Sequence, residues 1–207
     1  MHLAIIPDGN RRWSKRRRGS LHQAYAIGFC NVVDISLRSP AWGIKHLTFY
    51  GLSGENLRKR PAEQVDSLFW QITDSMAVAN PLFQEQGLRV RFQGDLESLR
   101  PDYQTALAEI TETSQSLTNP LLIIDILVNY SPEWDLVDYP QHLQTESIPE
   151  IDIIYRSGAT RRLSGFLPIQ SSYAELYFSK RLWPDINHLE IHRVISDKLR
   201  IPSLKGR

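Results

Sequence analysis

Residues 3–20 read LAIIPDGNRRWSKRRRGS. Four apolar residues, Leu3 to Ile6, run into Pro7, Asp8, Gly9, Asn10 and two arginines. Six cations then fall within the ten residues Arg11 to Ser20. The apolar run has the length and branching of a buried strand. A solvated basic face accounts for the cations, but it does not account for a carboxylate set directly at the end of that strand. Asp8 is either one half of a surface ion pair or a group turned toward a metal or a ligand. What decides between them is the company this strand keeps.

Similar runs recur along the chain: His46–Tyr50 (HLTFY), Leu88–Phe92 (LRVRF), Leu121–Val128 (LLIIDILV) and Ile151–Tyr155 (IDIIY). Between them lie stretches with apolar residues at three- and four-residue spacing. Gln23–Leu37 is one, and Ala62–Met76 repeats it with Val65, Leu68, Phe69, Ile72 and Met76. Pro101 suits the first turn of a third helix that runs through Leu107 and Ile110 toward Leu117. Strands alternating with helices predict an α/β fold with a central, mostly parallel sheet covered on both faces. Ser131–Glu150 reads as a loop or a shortened helix with its connections. The 207 residues fit one domain, 1–207.

Apolar content of 42% and charged content of 23% are ordinary for a globular chain. A formal net charge of +1 gives no reason to expect nucleic acid as a partner. The cationic character is local, which favours a small anionic ligand. A single cysteine, Cys30, excludes an internal disulfide framework and reads as a small buried filler. No run approaches the roughly 18 apolar residues of a membrane span, and no secretory leader is evident. The expectation is a cytoplasmic protein, with peripheral membrane contact open to it if its substrate is a lipid.

In parallel α/β sheets ligands gather beyond the carboxyl ends of the strands. After the first strand comes Asp8-Gly9-Asn10-Arg11-Arg12-Trp13. After the second come Ser53-Gly54-Glu55-Asn56 and Arg58-Lys59-Arg60. After Ile151–Tyr155 comes Arg156-Ser157-Gly158-Ala159-Thr160-Arg161-Arg162-Leu163-Ser164. Three strand exits thus each combine arginine, glycine and a small polar residue, the set that phosphate groups require. A carboxylate beside phosphates calls for Mg²⁺ between them, because the bare anions repel.

At these residues the chain resembles the cis-prenyltransferase family, the isoprenyl or undecaprenyl diphosphate synthases. The likeness runs through AIIPDGNRRW (4–13), GIKHLTFYGLSGENLRKRPAEQVDSL (43–68), VRFQGD (90–95), VNYSPEWDLV (128–137) and DIIYRSGATRRLSGFLPIQSSYAELYFSKRLWPD (152–185). It implies a homodimeric enzyme joining an allylic diphosphate to isopentenyl diphosphate, with a new Z double bond and release of pyrophosphate. Asp8 then positions Mg²⁺ on the allylic diphosphate. Gly9, Asn10 and Arg12 hold that diphosphate, with support from Arg60. Arg156, Arg162 and Ser164 match the isopentenyl diphosphate site, and Glu175 matches a carboxylate associated with Mg²⁺. Trp13, Ser53 and Asn56 match residues lining the reaction centre. Val65, Leu68, Phe69, Ile72, Met76 and Leu121–Val128 are candidate walls for the hydrocarbon, or ordinary core.

The chain also departs from the pattern. Leu21 and Tyr25 stand where elongating enzymes carry an arginine and a histidine, and Arg16, Arg17 or Arg18 are candidates to compensate. Ala159 and Thr160 replace a glycine and a glutamate, and the segment between Trp134 and Asp152 is short. The PDG-x-R-R-W-S start, Leu21, Tyr25 and the missing glutamate resemble the lavandulyl and cyclolavandulyl synthases, which couple dimethylallyl units irregularly, whereas Asn10 and the Glu55-Asn56 pair match the ordinary enzymes. Three functions follow: a short- or medium-chain cis-prenyltransferase, an irregular coupling enzyme, and a non-catalytic partner subunit.

Overall fold

In the computed structural model, residues 1–200 are described. The sheet is built from β1 (His2–Ile6), β2 (His46–Ser53), β3 (Leu88–Gln93), β4 (Leu122–Tyr130), β5 (Ile153–Arg156) and β6 (Glu175–Phe178). All neighbours are parallel, in the order β3-β4-β2-β1-β5-β6. The chain builds outward from β1 on one side and later returns to β5 on the other, so β1 sits at the reversal of strand order. That reversal is where an open parallel sheet forms its ligand crevice.

The helices are α1 (Asn10–Arg17), α2 (Leu21–Arg38), α3 (Gly54–Lys59), α4 (Ala62–Glu85), α5 (Pro101–Gln115), α6 (Pro132–Asp135) and α7 (His188–Arg200). Strand alternation sends Leu3, Ile5, Leu47 and Phe49 into one core with Phe29, Ile35, Phe69, Phe83, Leu107 and Ile191 from the long helices. The opposite face carries Ala4, Ile6, Leu127 and Ile154, covered by Ile148, Ile151, Phe166 and Leu167 from the segment after α6. Both faces are therefore dry, as a parallel sheet requires, although one cover is largely irregular chain.

That irregular cover is held by polar anchors. The imidazole of His2 contacts the carbonyls of Pro149 and Glu150 through Nδ1, at 3.1 and 3.2 Å, and Thr48 Oγ1 through Nε2 at 2.8 Å. Asp125, inside the most apolar run of the sequence, is fully buried. Arg91 clasps it at 2.8 and 2.9 Å, and His46 bonds to it from β2. A buried carboxylate so paired is tolerated where a bare one would not be.

Several boundaries differ from the sequence expectation. The basic stretch read as a loop through Trp13 is helical from Asn10, leaving only Pro7–Gly9 as the strand exit. Helix α4 runs on to Glu85 through Pro81, because Phe83 is buried in the core and Asn80 Nδ2 bonds the Ile110 carbonyl of α5 at 3.3 Å. β6, α3 and α7 are additions: β6 has only four residues, and α3 is short and polar. Cys30 is exposed rather than buried, since it lies on the solvent side of α2, next to the buried Phe29.

Candidate active site

At the ends of β1 and β5 the chain ties a knot of hydrogen bonds. Ser157 Oγ accepts from the Asp8 amide at 2.9 Å and donates to the Asp8 carbonyl at 2.8 Å. Arg156, the last residue of β5, donates to Asp8 Oδ2 at 3.0 Å. It also donates to Ser164 Oγ at 2.9 Å and to the Arg162 carbonyl at 2.5 Å. Arg12, one turn into α1, donates to Asp8 Oδ1 at 3.0 Å and to the Gly158 carbonyl at 2.6 Å. Burial opposes ionisation of Asp8, but the hydrogen bonds and charges of Arg156 and Arg12 outweigh it and hold the carboxyl below its ordinary value.

Glycine is needed at two points of this knot. Gly9 adopts φ 117° to turn the chain from strand into helix. Gly158 has φ 88°, and a β-carbon there would lie 2.6 Å from Arg12 Nη2 and 2.9 Å from the Asp8 carbonyl oxygen.

Two adjoining cavities open above the knot. The larger, about 510 Å³, is lined at one end by Asp8, Asn10, Arg60, Arg156, Arg162 and Ser164. It continues between Phe29 and Val32 of α2, Phe49 of β2, Leu68 and Ile72 of α4, and Ile126 of β4. The smaller, about 390 Å³, is lined mostly by polar and charged residues, with Gly9, Arg12, Lys15 and Gln64 in its wall. Asp8, Asn10, Arg11, Tyr25 and Arg60 border both.

The polar cavity is lined by groups lacking partners. Tyr25 OH, Arg60 Nε, Asn10 Oδ1 and Gln64 Oε1 are all buried without a hydrogen bond. Of these, Tyr25 OH and Arg60 Nε are orphaned donors that an anion would satisfy, whereas the Asn10 and Gln64 oxygens are acceptors and call for a donor. Burial raises the Tyr25 phenol, against the opposing charges of Arg60 and Arg11, so it is a donor at neutral pH. Burial lowers the Arg60 guanidinium, offset by Tyr25 and Asp8. The first turn of α1 (Asn10, Arg11, Arg12) lines the same cavity and has no side-chain cap, leaving its amides open to a negative group.

Of the residues singled out from the sequence, Asp8, Asn10, Ser53, Asn56, Arg60, Arg156, Arg162 and Ser164 border the larger cavity, and Gly9 and Arg12 border the polar one. Ser53 also caps α3, accepting from the Asn56 amide at 3.1 Å. Two of the singled-out residues lie outside these walls. Trp13 lines neither cavity: it is buried and donates from Nε1 to Asp185 at 2.8 Å, fastening α1 to the turn before α7. Glu175 is not brought to Asp8 within the chain. It opens β6 level with Ile153 and Leu3, at the end of the strands away from the cleft, and bonds Lys198 at 2.5 Å.

Among the wall candidates, Leu68, Ile72 and Ile126 face the cleft, whereas Val65, Phe69 and Met76 are core. Arg16, Arg17 and Arg18 do not border either cavity. Arg17 instead reaches Asp185, and besides Arg12 and Arg60 the cations that stand in the polar wall are Arg11 and Lys15. Both of these lie in the quoted basic run and were hidden there among four others. Tyr25, Gly28, Phe29 and Val32 form one helical stripe on α2, a spacing that identifies a cleft wall only once the neighbouring strands are placed.

An arginine-and-carboxylate anion site beside an apolar groove, at the strand reversal of a parallel sheet, defines an enzyme handling an anionic head on a hydrocarbon tail. The chain belongs to the undecaprenyl diphosphate synthase family of prenyltransferases, whose model matches residues 6–141 and 138–198. It is 31% identical to the ditrans,polycis-undecaprenyl-diphosphate synthase ((2E,6E)-farnesyl-diphosphate specific) of Pseudomonas putida, covering 95% of this chain and 86% of that one. It is 29% identical to an isoprenyl transferase of Ralstonia nicotianae, covering 94% and 83%. Among solved structures it is similar to lavandulyl diphosphate synthase from Lavandula x intermedia in complex with dimethylallyl diphosphate. The TM-score is 0.89 with 26% identity, over 98% of this chain and 96% of that one.

Proposed function

We propose that this prenyltransferase condenses an allylic diphosphate with isopentenyl diphosphate, giving a short- or medium-chain Z-prenyl diphosphate and pyrophosphate. The observation that carries the reading is the pair of joined cavities, one polar with orphaned donors, the other running into an apolar groove, with Asp8 at their border. The polar cavity takes the allylic diphosphate on Arg12, Arg60, Tyr25 and the first turn of α1. Arg156, Arg162 and Ser164 take the second diphosphate. Holding both heads fixes the reacting carbons side by side, which supplies much of the acceleration. As the allylic C–O bond breaks, charge grows on the leaving oxygens, where the guanidinium groups already point.

Mg²⁺ fits as a companion of the substrate. No cluster of three or more His, Cys, Asp or Glu able to hold a metal occurs among the described residues. Asp8 borders both cavities, with Glu55 in the wall of the larger one, and a carboxylate with phosphate oxygens is a usual Mg²⁺ donor set. When bound, the ion neutralises charge on the leaving diphosphate. Asp8 holds its share of that site, and its ionisation is secured by the two arginines.

A homodimer fits as well: β6 is an edge strand, and Leu176 on it and Tyr173 beside it are exposed at 46% and 73%. No helix among the described residues is long and apolar enough to cross a membrane, and a cytoplasmic setting accords with the lone cysteine.

Irregular coupling of two dimethylallyl units is the second reading, favoured by the likeness to lavandulyl diphosphate synthase together with Leu21 and Tyr25. One experiment separates them. Purified protein and Mg²⁺ are incubated with dimethylallyl diphosphate alone, and with isopentenyl diphosphate plus dimethylallyl, geranyl or farnesyl diphosphate, and the hydrolysed alcohols are identified. The proposal expects linear Z-products only in the mixtures. A branched product from dimethylallyl diphosphate alone overturns it in favour of irregular coupling, and no product from any pair points to a non-catalytic subunit.

A further inference from the structure

Trp183, in the LWPD stretch at 182–185, lines the larger cavity and ties its parts together. Its backbone amide donates to the Asp8 carbonyl at 3.1 Å, on the turn that carries the anion-site carboxylate. Its carbonyl accepts from Asn31 Nδ2 of α2 at 2.9 Å. The indole Nε1 donates to the carbonyl of Gly28, also on α2, at 2.8 Å. The residue is buried, and its ring meets Phe49 of β2 edge-on, with 6.5 Å between centroids. The β1 exit, β2 and α2 are thus joined through one residue.

Gly28 shows how closely these parts are fitted. A glycine inside a long helix weakens it, so its presence calls for a reason. A β-carbon there would lie 2.7 Å from Trp183 Cδ1 and 3.0 Å from Asn10 Oδ1. Asn10, Gly28, Phe49 and Trp183 all line the larger cavity, with Phe29 and Val32 continuing the α2 wall. The seat of the indole on bare helix backbone therefore fixes where that wall stands relative to the Asp8 turn.

We infer that Trp183 is a positioning residue, holding the α2 wall of the groove in register with Asp8 so that a prenyl tail in the groove keeps its diphosphate-bearing carbon at the anion site. The inference rests on the prenyl diphosphate reading above. Trp183 acts through α2 and the Asp8 turn and takes no part in bond making.

The test uses Trp183→Phe, which keeps a ring but loses the Nε1 donor, and Gly28→Ala, which presses on the indole from the other side. Calorimetry gives the affinities of inorganic pyrophosphate and of non-hydrolysable geranyl thiolodiphosphate, and their ratio is the gain contributed by the tail. Pyrophosphate binding to Trp183→Phe should be unchanged, because the bond to Asp8 is made by the backbone. The tail gain should fall about tenfold in both variants, and kcat about tenfold to a hundredfold, the scale of a small misplacement of reacting groups. A residue that only stabilises the fold would lower the melting temperature without moving the tail gain. Melting temperatures report folding, and Gly28→Ala decides the matter if Trp183→Phe does not fold. An unchanged tail gain or an unchanged kcat in folded variants overturns the role of Trp183 while leaving the diphosphate reading standing. A wild type that binds neither ligand overturns that reading, and the inference with it.

Discussion

Asp8 and Arg156 meet at 3.0 Å across the ends of two neighbouring parallel strands, although 148 positions separate them in the chain. The guanidinium is almost fully buried, with Nε unpartnered, so it is fixed by Asp8, Ser164 and the Arg162 carbonyl. Arg156 in turn helps hold the Asp8 carboxyl below its ordinary value.

Replacing Asp8 therefore does two things: it removes a ligand-facing carboxylate and leaves two arginines unopposed. Asp8→Ala is expected to lower kcat at least a hundredfold while thermal melting stays within a few degrees of wild type. Turnover within threefold of wild type would refute the role given to this residue.

Tyr25→Phe deletes one oxygen from the polar cavity. In the absence of ligand the variant should melt at or above the wild-type temperature, since it loses a buried hydroxyl with no partner. Calorimetric titration with inorganic pyrophosphate should show affinity weakened about tenfold or more, as for loss of a hydrogen bond to a charged group. Equal affinities would remove Tyr25 from the anion site.

Gly158→Ala forces a methyl group onto Arg12 Nη2 and the Asp8 carbonyl at a backbone angle unsuited to alanine. A destabilisation of about 1–3 kcal/mol is expected, together with weaker pyrophosphate binding as Arg12 is displaced. Chemical denaturation and the same titration measure both.

His2 supplies a pH dependence. Burial, and secondarily the neighbouring His46, lower its pKa from 6.5 to about 4, against the raising effect of the Pro149 and Glu150 carbonyls and Asp125. The unfolded chain then binds the extra proton first as pH falls, so the stabilisation is complete above pH 6.5 and is lost progressively toward pH 4. The loss is on the order of 2–3 kcal/mol. Urea midpoints at pH 7 and pH 5 should fall less in His2→Gln than in wild type, and parallel declines would contradict this account.

Much of the fold could be read directly. Five of six strands announce themselves in the sequence: four as apolar runs, because a central parallel strand is dry on both faces, and the edge strand β3 by its alternation of Leu88, Val90 and Phe92 with polar residues. β6 escaped because Glu175 and Tyr177 interrupt a four-residue segment. The anion site was visible as three strand exits rich in arginine. The polar cavity was only half visible: periodicity cannot say which of six cations line it, and Arg11, Arg12 and Lys15 do so because Gly9 sets the direction of α1. The Trp13–Asp185 bond could not be read from the sequence, because 172 positions separate the two residues and no local pattern encodes that distance.

The central place of β1 has a consequence for synthesis. The strand bearing Asp8 is made first, but its neighbour β5, with Arg156, follows only after β2, β3 and β4. Until then one side of β1 has no partner, and non-local parallel pairing is slow to form. A nascent or prematurely terminated chain thus carries the carboxylate without its arginine. The Arg156, Arg162 and Ser164 side of the cleft is thus added only after the polar cavity's Arg12, Tyr25 and Arg60 have been made.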